Sequence, residues 1–192
     1  MAISSPPTRT FDGVDLPAPG VWAIDPGHAE VAFIGRHFLL TKVRGRFTGV
    51  AGAVVVDDDP TRSSVEVEID AASLQSGDQA RDDHLRSEDL FHVAVHPTAR
   101  FQSRAVDWMG RRGTVTGDLT IKGVTRPVNI AVEYLGHATD PWSNDRAVFS
   151  AHTTIDREDF GLTWNMVLEA GGLLVSNEIR IEIEIETIRQ TT

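Results

Sequence analysis

Between Ser76 and Phe91 the chain reads SGDQARDDHLRSEDLF, a run of acids around two arginines and one histidine. Such a mixture could pass a proton or hold a metal ion, provided a histidine and a carboxylate come within hydrogen-bond reach. On a helix the neighbours of His84 at three and four residues are Ala80, Arg81 and Glu88, and one glutamate beside one histidine makes neither a triad nor a cage. HVAVH sets His92 and His96 at a zinc-like spacing, without the glutamate of an HExxH helix. Pro97 favours extended backbone at His96, which on a strand would part the two rings by about 12 Å. DREDF (156–160) has the charge of a calcium loop but not its Asx and glycine spacing, and reads as a turn. Glu182 and Glu184 share one strand face and read as solvated surface. GxSxG, Walker A and GxGxxG patterns are absent, and with no cysteine there is no thiolate nucleophile, disulfide or zinc–thiolate site. The expectation is a protein that is not an enzyme, with no catalytic residue, no metal and no cofactor beyond a bound lipid.

The totals narrow the partners. A formal charge of −10 over 192 residues argues against a nucleic-acid groove, which needs clustered Lys and Arg. Nowhere do about 18 apolar residues run together, so no stable membrane insertion is expected. The opening MAISSPPTRTFDGVDLPAPG lacks a basic segment followed by an apolar one, which points to a cytoplasmic protein. Its prolines at 6, 7, 17 and 19 suggest a mobile arm over residues 1–20, with the folded domain over 21–190.

The elements that must position any site are mostly strands. Ile179, Ile181, Ile183 and Ile185 alternate with Arg180, Glu182, Glu184 and Glu186, a period of two that puts every isoleucine on one face. Weaker alternation recurs in SSVEVEID, GTVTGDLTIKG, RPVNIAVEY, AEVAFIGRHF, GRFTGVAGAVVVD, TARFQSRAVDW and RAVFSAHTTID, giving about eight strands. Asp25-Pro26-Gly27, Asp57 to Pro60, Gly110 to Gly113 and Lys122-Gly123 read as turns, the last a tight hairpin. Only Gln79 to Leu90 favours a helix, capped by Ser76 or Asp78 and pinned by Leu85 and Leu90. One helix cannot cover a one-faced sheet of this size, so closure into an antiparallel barrel is the better solution, with a β-sandwich as the rival. Eight strands of about ten residues enclose an interior roughly 30 Å long that is filled or holds one small ligand.

The ordered set WAIDPGHAEVAF, RHFLLTKVRGRFTGVAGAVVVD, SSVEVEIDAASLQSGDQARDDHLRSEDLF, HPTARFQS, TVTGDLTIKGVTRPVNI and DREDFGLTWN resembles the YceI-like proteins, from about Trp22 to Ile188. The resemblance implies an extended, lipocalin-like eight-stranded barrel with one connecting helix and an internal hydrophobic tunnel. It further implies binding of a long amphiphile, such as a polyisoprenoid, isoprenoid quinone or fatty amide, often in a homodimer. The RDxHL element falls on Arg81, Asp82, His84 and Leu85, in the connecting helix, where the charges anchor and solvate. The RGxFxG element falls on Arg44, Gly45, Phe47 and Gly49, and the GxLTIxGVT hairpin on Gly117, Leu119, Thr120, Ile121, Gly123, Val124 and Thr125.

Strand parity then sets Phe33, Phe47, Phe101, Leu119, Phe149 and Ile181 along the tunnel, with His37 or Trp164 near its polar end. Gly35, Gly49, Ala51 and Ala53 would leave it room. Storage, transport or isoprenoid metabolism are the expected roles, and sequestration of toxic hydrophobic compounds is an alternative. An uncharacterised enzyme acting on the bound lipid through His37 or His84 is another; its mark would be a histidine at the tunnel mouth with a carboxylate in reach.

Overall fold

In the computed structural model, which describes residues 7–38, 40–166 and 174–191, the alternating segments become strands and the acidic stretch becomes the one α-helix of the described residues. In chain order they are β1 (Thr8–Phe11), β2 (Val14–Pro17), β3 (Gly20–His37), β4 (Thr41–Phe47), β5 (Val50–Val56), β6 (Ser64–Asp70), β7 (Leu74–Gln75), helix α1 (Gln79–Arg86), β8 (Thr98–Met109), β9 (Arg112–Ile121), β10 (Val124–Thr139), β11 (Asp145–Asp156) and β12 (Glu178–Arg189). Strands β3, β5, β6, β8, β9, β10, β11 and β12 follow one another round a ring, every pair antiparallel, and β12 closes it on β3. The expected eight-stranded barrel is therefore the observed one, and the rival sandwich is not. Closure leaves no open edge on the main ring and hides the apolar face of every strand at once. Short β4 continues the line of β5 along the far half of β3 and pairs in turn with β7.

The isoleucine strand behaves as its period demands. Ile179, Ile181, Ile183 and Ile185 turn inward, while outside Glu182 takes Arg44 at 2.6 Å and Arg180 at 3.0 Å. Lys122-Gly123 makes the tight hairpin, with positive φ at both residues and Ile121 opposite Val124. Asp25-Pro26-Gly27 does not turn the chain. It lies within β3 as a bulge: Ile185 faces Ala29 and Thr187 faces Ile24, so residues 25–28 stand against Glu186 alone. The bulge carries the Asp25 carboxylate to Arg146 at 2.7 Å, and Arg146 also holds Asp140 at 2.8 Å and Glu186 at 3.0 Å.

Residues 1–20 were set outside the folded domain by their prolines. Of these, 1–6 lie outside the described residues, and the rest do not form a free arm. Strands β1 and β2 make a hairpin on Asp12-Gly13, both at positive φ, whose Phe11, Val14 and Leu16 pack against Trp22, Val54, Val56 and Tyr134. The hairpin pairs only with itself and not with the barrel strands, so apolar packing is what holds it over one end of the ring. Strand β3 begins at that end, with Trp22 wholly buried and donating to Ala18 O at 2.9 Å, and runs to His37 at the other.

Candidate functional site

The acidic stretch closes the opposite end. Asp78 caps α1 by accepting from the Arg81 amide at 2.9 Å. Buried Asp82 accepts from the Ser76 amide at 2.8 Å and from the Ser76 hydroxyl, while Arg81 donates to Ser76 Oγ at 2.7 Å and Ser76 O at 2.9 Å. Arg86 donates to the carbonyls of Ala72 and Leu74. These groups are spent on holding the helix down. The helix ends at Arg86, short of the expected Leu90, and a series of turns follows in which buried Leu90 still reaches the core.

Those turns correct the expected extension at His96. Its amide donates to His92 O at 2.9 Å, which brings the two rings to 6.0 Å between centroids. The bias imposed by Pro97 acts on the ψ of His96 and leaves the four preceding residues free to turn. No third histidine, cysteine, aspartate or glutamate joins them as a metal set among the described residues.

Inside the ring lies a cavity of about 590 Å³ that reaches from α1 to the hairpin, within the range of roughly 300–1,000 Å³ usual for small-molecule sites. All eight expected lining residues face it: Phe33, His37, Phe47, Phe101, Leu119, Phe149, Trp164 and Ile181. They are joined by valines and isoleucines from every barrel strand. His37 and Trp164 stand at the helix end; His37 bridges Val175, and Trp164 meets the His84 ring edge-on at 4.3 Å.

The expected sources of space are corrected. Gly35 lines the cavity, but Ala51 faces outward, and Ala53 and Gly49 are not part of the wall. The break at Thr48-Gly49 between β4 and β5 shifts parity, so Phe47 and then Val50, Val54 and Val56 point inward. Room comes instead from glycines lying under aromatic rings. A Cβ on Gly45 would stand 2.2 Å from Phe33 Cζ, one on Gly117 2.6 Å from Phe101 Cζ, and one on Gly113 2.4 Å from Trp108 Cε3. Each ring thus lies along the wall over its neighbouring strand, where a larger residue would stand it up into the lumen.

The helix end also holds Arg157, which sequence reasoning passed over inside DREDF. The segment is the expected turn, a single 3₁₀ stretch capped by Asp156. Its buried guanidinium donates to Ser176 O at 3.1 Å, Trp164 O at 2.8 Å, Asn177 Oδ1 at 3.3 Å and the Leu162 carbonyl. Burial disfavours its charge and lowers its pKa, opposed by Glu158 and Asp156. One side chain thereby ties the Trp164 loop to the start of β12. His84, the one histidine of the acidic stretch, lies 3.3 Å from Asp89 and lines the cavity. That is the mark expected of an enzyme acting on a bound lipid, although no hydroxyl is bonded to the ring among the described residues.

At the hairpin end burial pushes the Tyr134 phenol up to about 12, with Arg111 opposing and Asp15 adding to it, and its hydroxyl is bonded to His137 Nδ1 at 2.6 Å. Among the described residues no helix is long and apolar enough to cross a membrane.

The fold and cavity have counterparts. The model of the YceI-like domain matches residues 22–187. A UPF0312 protein of Pseudomonas paraeruginosa is 35% identical over 164 residues, covering 85% of this chain and 83% of that protein. One of Photorhabdus laumondii is 37% identical over 167 residues, covering 86% and 84%. The solved structure of BcnA from Burkholderia cenocepacia superposes with a TM-score of 0.74 at 24% identity, over 85% of this chain and 98% of that one. A polyisoprenoid binding domain from Saccharophagus degradans, implicated in plant cell wall breakdown, superposes at 0.65 with 16% identity, over 90% and 100%.

Proposed function

We propose, from the premise that this chain belongs to the YceI-like domain family, that its barrel binds one long-chain amphiphile in the cavity between hairpin and helix. The observation that carries this reading is the cavity of about 590 Å³ walled by valine, isoleucine, leucine and aromatic side chains. At about 30 Å³ per water, a volume close to that of a methylene, it holds a chain of roughly twenty carbons. Each buried methylene contributes about 0.8 kcal/mol, so such a guest needs few polar contacts. A polyisoprenoid, an isoprenoid quinone or a fatty amide fits this description, and the polyisoprenoid-binding fold neighbour supports the first of them. Storage, transport and sequestration of toxic hydrophobic compounds require the same cavity. The homodimer implied by the family belongs to the same reading, and light scattering on the purified protein distinguishes it from a monomer.

Protein purified from its native host, extracted with organic solvent and analysed by mass spectrometry, should release a stoichiometric long-chain species. Phe101→Glu sets a charge on the wall and should abolish uptake of added polyprenol while the β-sheet circular dichroism is kept. Retained uptake in Phe101→Glu, or an empty extract together with no uptake by the unaltered protein, overturns the reading.

A further inference from the structure

The hairpin β1–β2 precedes residue 22, where the match to the family model begins. It brings one charged side chain to the cavity. Arg9 shares the inner face of β1 with Phe11, sits opposite Leu16, and lines the hairpin end of the cavity together with Leu16, Pro17, Pro60 and Ser63. Its Nε and Nη1 are shut away from solvent and have no hydrogen-bond partner among the described residues. Between them these two atoms carry three N–H donors.

Buried polar groups are nearly always satisfied, so two shielded nitrogens without a partner stand out on this partly buried side chain. The nearest acids do not satisfy this one. Burial lowers the Arg9 pKa, and Asp58, Asp57 and Asp59 oppose it through space; Asp58, whose effect is the largest of the three, accepts no hydrogen bond from Arg9 Nε or Nη1 among the described residues. Asp57 is committed to Arg62 at 2.6 Å and to the Asp59 amide at 3.0 Å, and Asp59 to Thr61 at 2.7 and 2.9 Å. At the other end of the cavity Arg157 and Arg81 have their donors occupied by carbonyls and hydroxyls. Arg36, also on the wall at that end, is exposed, so Arg9 is the lining arginine with shielded donors that await an acceptor.

We propose that Arg9 is the head-group receptor of this cavity, and that the ligand is an amphiphile with an anionic oxygen head, a carboxylate or a phosphate ester. The head lies at the hairpin end on the Arg9 Nε–H and Nη1–H donors, and the chain runs past Trp108, Phe149 and Phe101 toward α1. A guanidinium matches the oxygen geometry of both head groups, and charge-assisted bonds in a desolvated site are stronger than neutral ones. The assignment rests on the reading of the cavity as an amphiphile site, so its test separates the two.

Hexadecanoate, hexadecyl phosphate and hexadecanol, which share one chain, are titrated into the full-length protein and into Arg9→Met and Arg9→Lys. The acids should bind roughly 10- to 100-fold more tightly than the alcohol, and the acid with the larger gain identifies the head group. Arg9→Met should lose that advantage, so that the acids bind no more tightly than hexadecanol, and Arg9→Lys should restore part of it. Removing a desolvated charge should leave the melting temperature of Arg9→Met unchanged or higher. Equal binding of acids and alcohol by the unaltered protein overturns the head-group assignment and leaves the apolar cavity standing. An acid preference that survives in Arg9→Met overturns it as well. Failure of all three probes overturns both this assignment and the amphiphile reading.

Discussion

Replacing Gly45 by alanine tests whether the cavity exists because aromatic rings lie along its wall. Phe33 and Gly45 are direct cross-strand partners on the inner face of β3 and β4. The new methyl would stand 2.2 Å from Phe33 Cζ, 2.7 Å from Cε1 and 2.8 Å from Cε2. Ordinary carbon separations begin at about 3.5 Å, so the ring edge must retreat about 1.3 Å. It cannot retreat through the wall, and along the wall it meets Phe47, whose ring centroid is 5.5 Å away and which itself abuts Phe91 at 5.6 Å. The open direction is the lumen.

The methyl alone takes about one water-sized volume, roughly 30 Å³, and the displaced ring takes more, so one to three guest carbons lose their place. At about 0.8 kcal/mol per methylene, a guest that fills the cavity should bind roughly 4- to 60-fold more weakly. The assay is a calorimetric series of straight-chain alcohols from eight to twenty-four carbons. In the unaltered protein, affinity should rise about 4-fold per carbon and level off near twenty. In Gly45→Ala the plateau should arrive one to three carbons earlier, with shorter guests unaffected, and overpacking should lower stability by about 1–3 kcal/mol. Removing the ring as well, in Gly45→Ala with Phe33→Ala, should return the plateau to its original length or beyond. An unshifted plateau in Gly45→Ala would refute the reasoning, because the ring would then have somewhere other than the lumen to go.

Arg157→Ala should lower stability by about 3 kcal/mol, since it strips a charged donor from several buried acceptors at once, and thermal melts should fall by roughly 6–12 °C. Arg146→Met should lower the melting temperature at neutral pH and lose that effect in acid. Asp25 is held below the usual carboxylate range chiefly by its bond to Arg146, and at Asp140 burial opposes the charge but bonds from Asn144, Arg146 and Trp142 outweigh it. Carboxylates depressed in the folded state stabilise it above their unfolded pKa of about 4 and stop doing so as pH falls through their folded values. Melts from pH 7 to pH 2 should therefore show a constant gap between the two proteins down to about pH 4 and a closing gap below it; a gap that widens in acid rules out this account. His84→Gln should leave binding of hexadecanol unchanged within about 3-fold, because the ring meets the cavity with an edge already packed on Trp164.

Much of this was legible in the residues. The isoleucine strand and its weaker companions give the eight barrel strands, and period two puts Phe33, Phe47, Phe101, Leu119, Phe149 and Ile181 on the cavity wall. What escaped are features that exist only once strands have neighbours. Gly45, Gly113 and Gly117 make room because the register sets Phe33, Trp108 and Phe101 over them, and nothing in a strand's own sequence states which ring lies on which glycine. The parity slip at Thr48-Gly49 reversed Ala51 and Ala53 for the same reason. The hairpin is different, because its signal was present: Asp12-Gly13 between Arg9/Phe11 and Val14/Leu16 is a strong short-range hairpin pattern. The four prolines around it signal a stiff, extended chain and mask the alternation between them.

That hairpin also bears on how a greasy barrel can be selective. A wall of valines and isoleucines reads the length and girth of a guest but cannot tell an acid from an alcohol, since it offers neither a donor nor an acceptor. Discrimination between head groups must then reside at the ends. At the helix end Arg81 is engaged with Ser76, Arg157 with three carbonyls and His84 with Asp89, while Arg36 is exposed. At the hairpin end two nitrogens of Arg9 are buried with nothing to donate to among the described residues. A fold keeps shielded donors without an acceptor only where something else offsets their desolvation, and in this chain those donors sit on a segment outside the matched family domain, at residue 9 against 22–187. The barrel thus sets what fits, and the added hairpin is placed to set which end group is accepted.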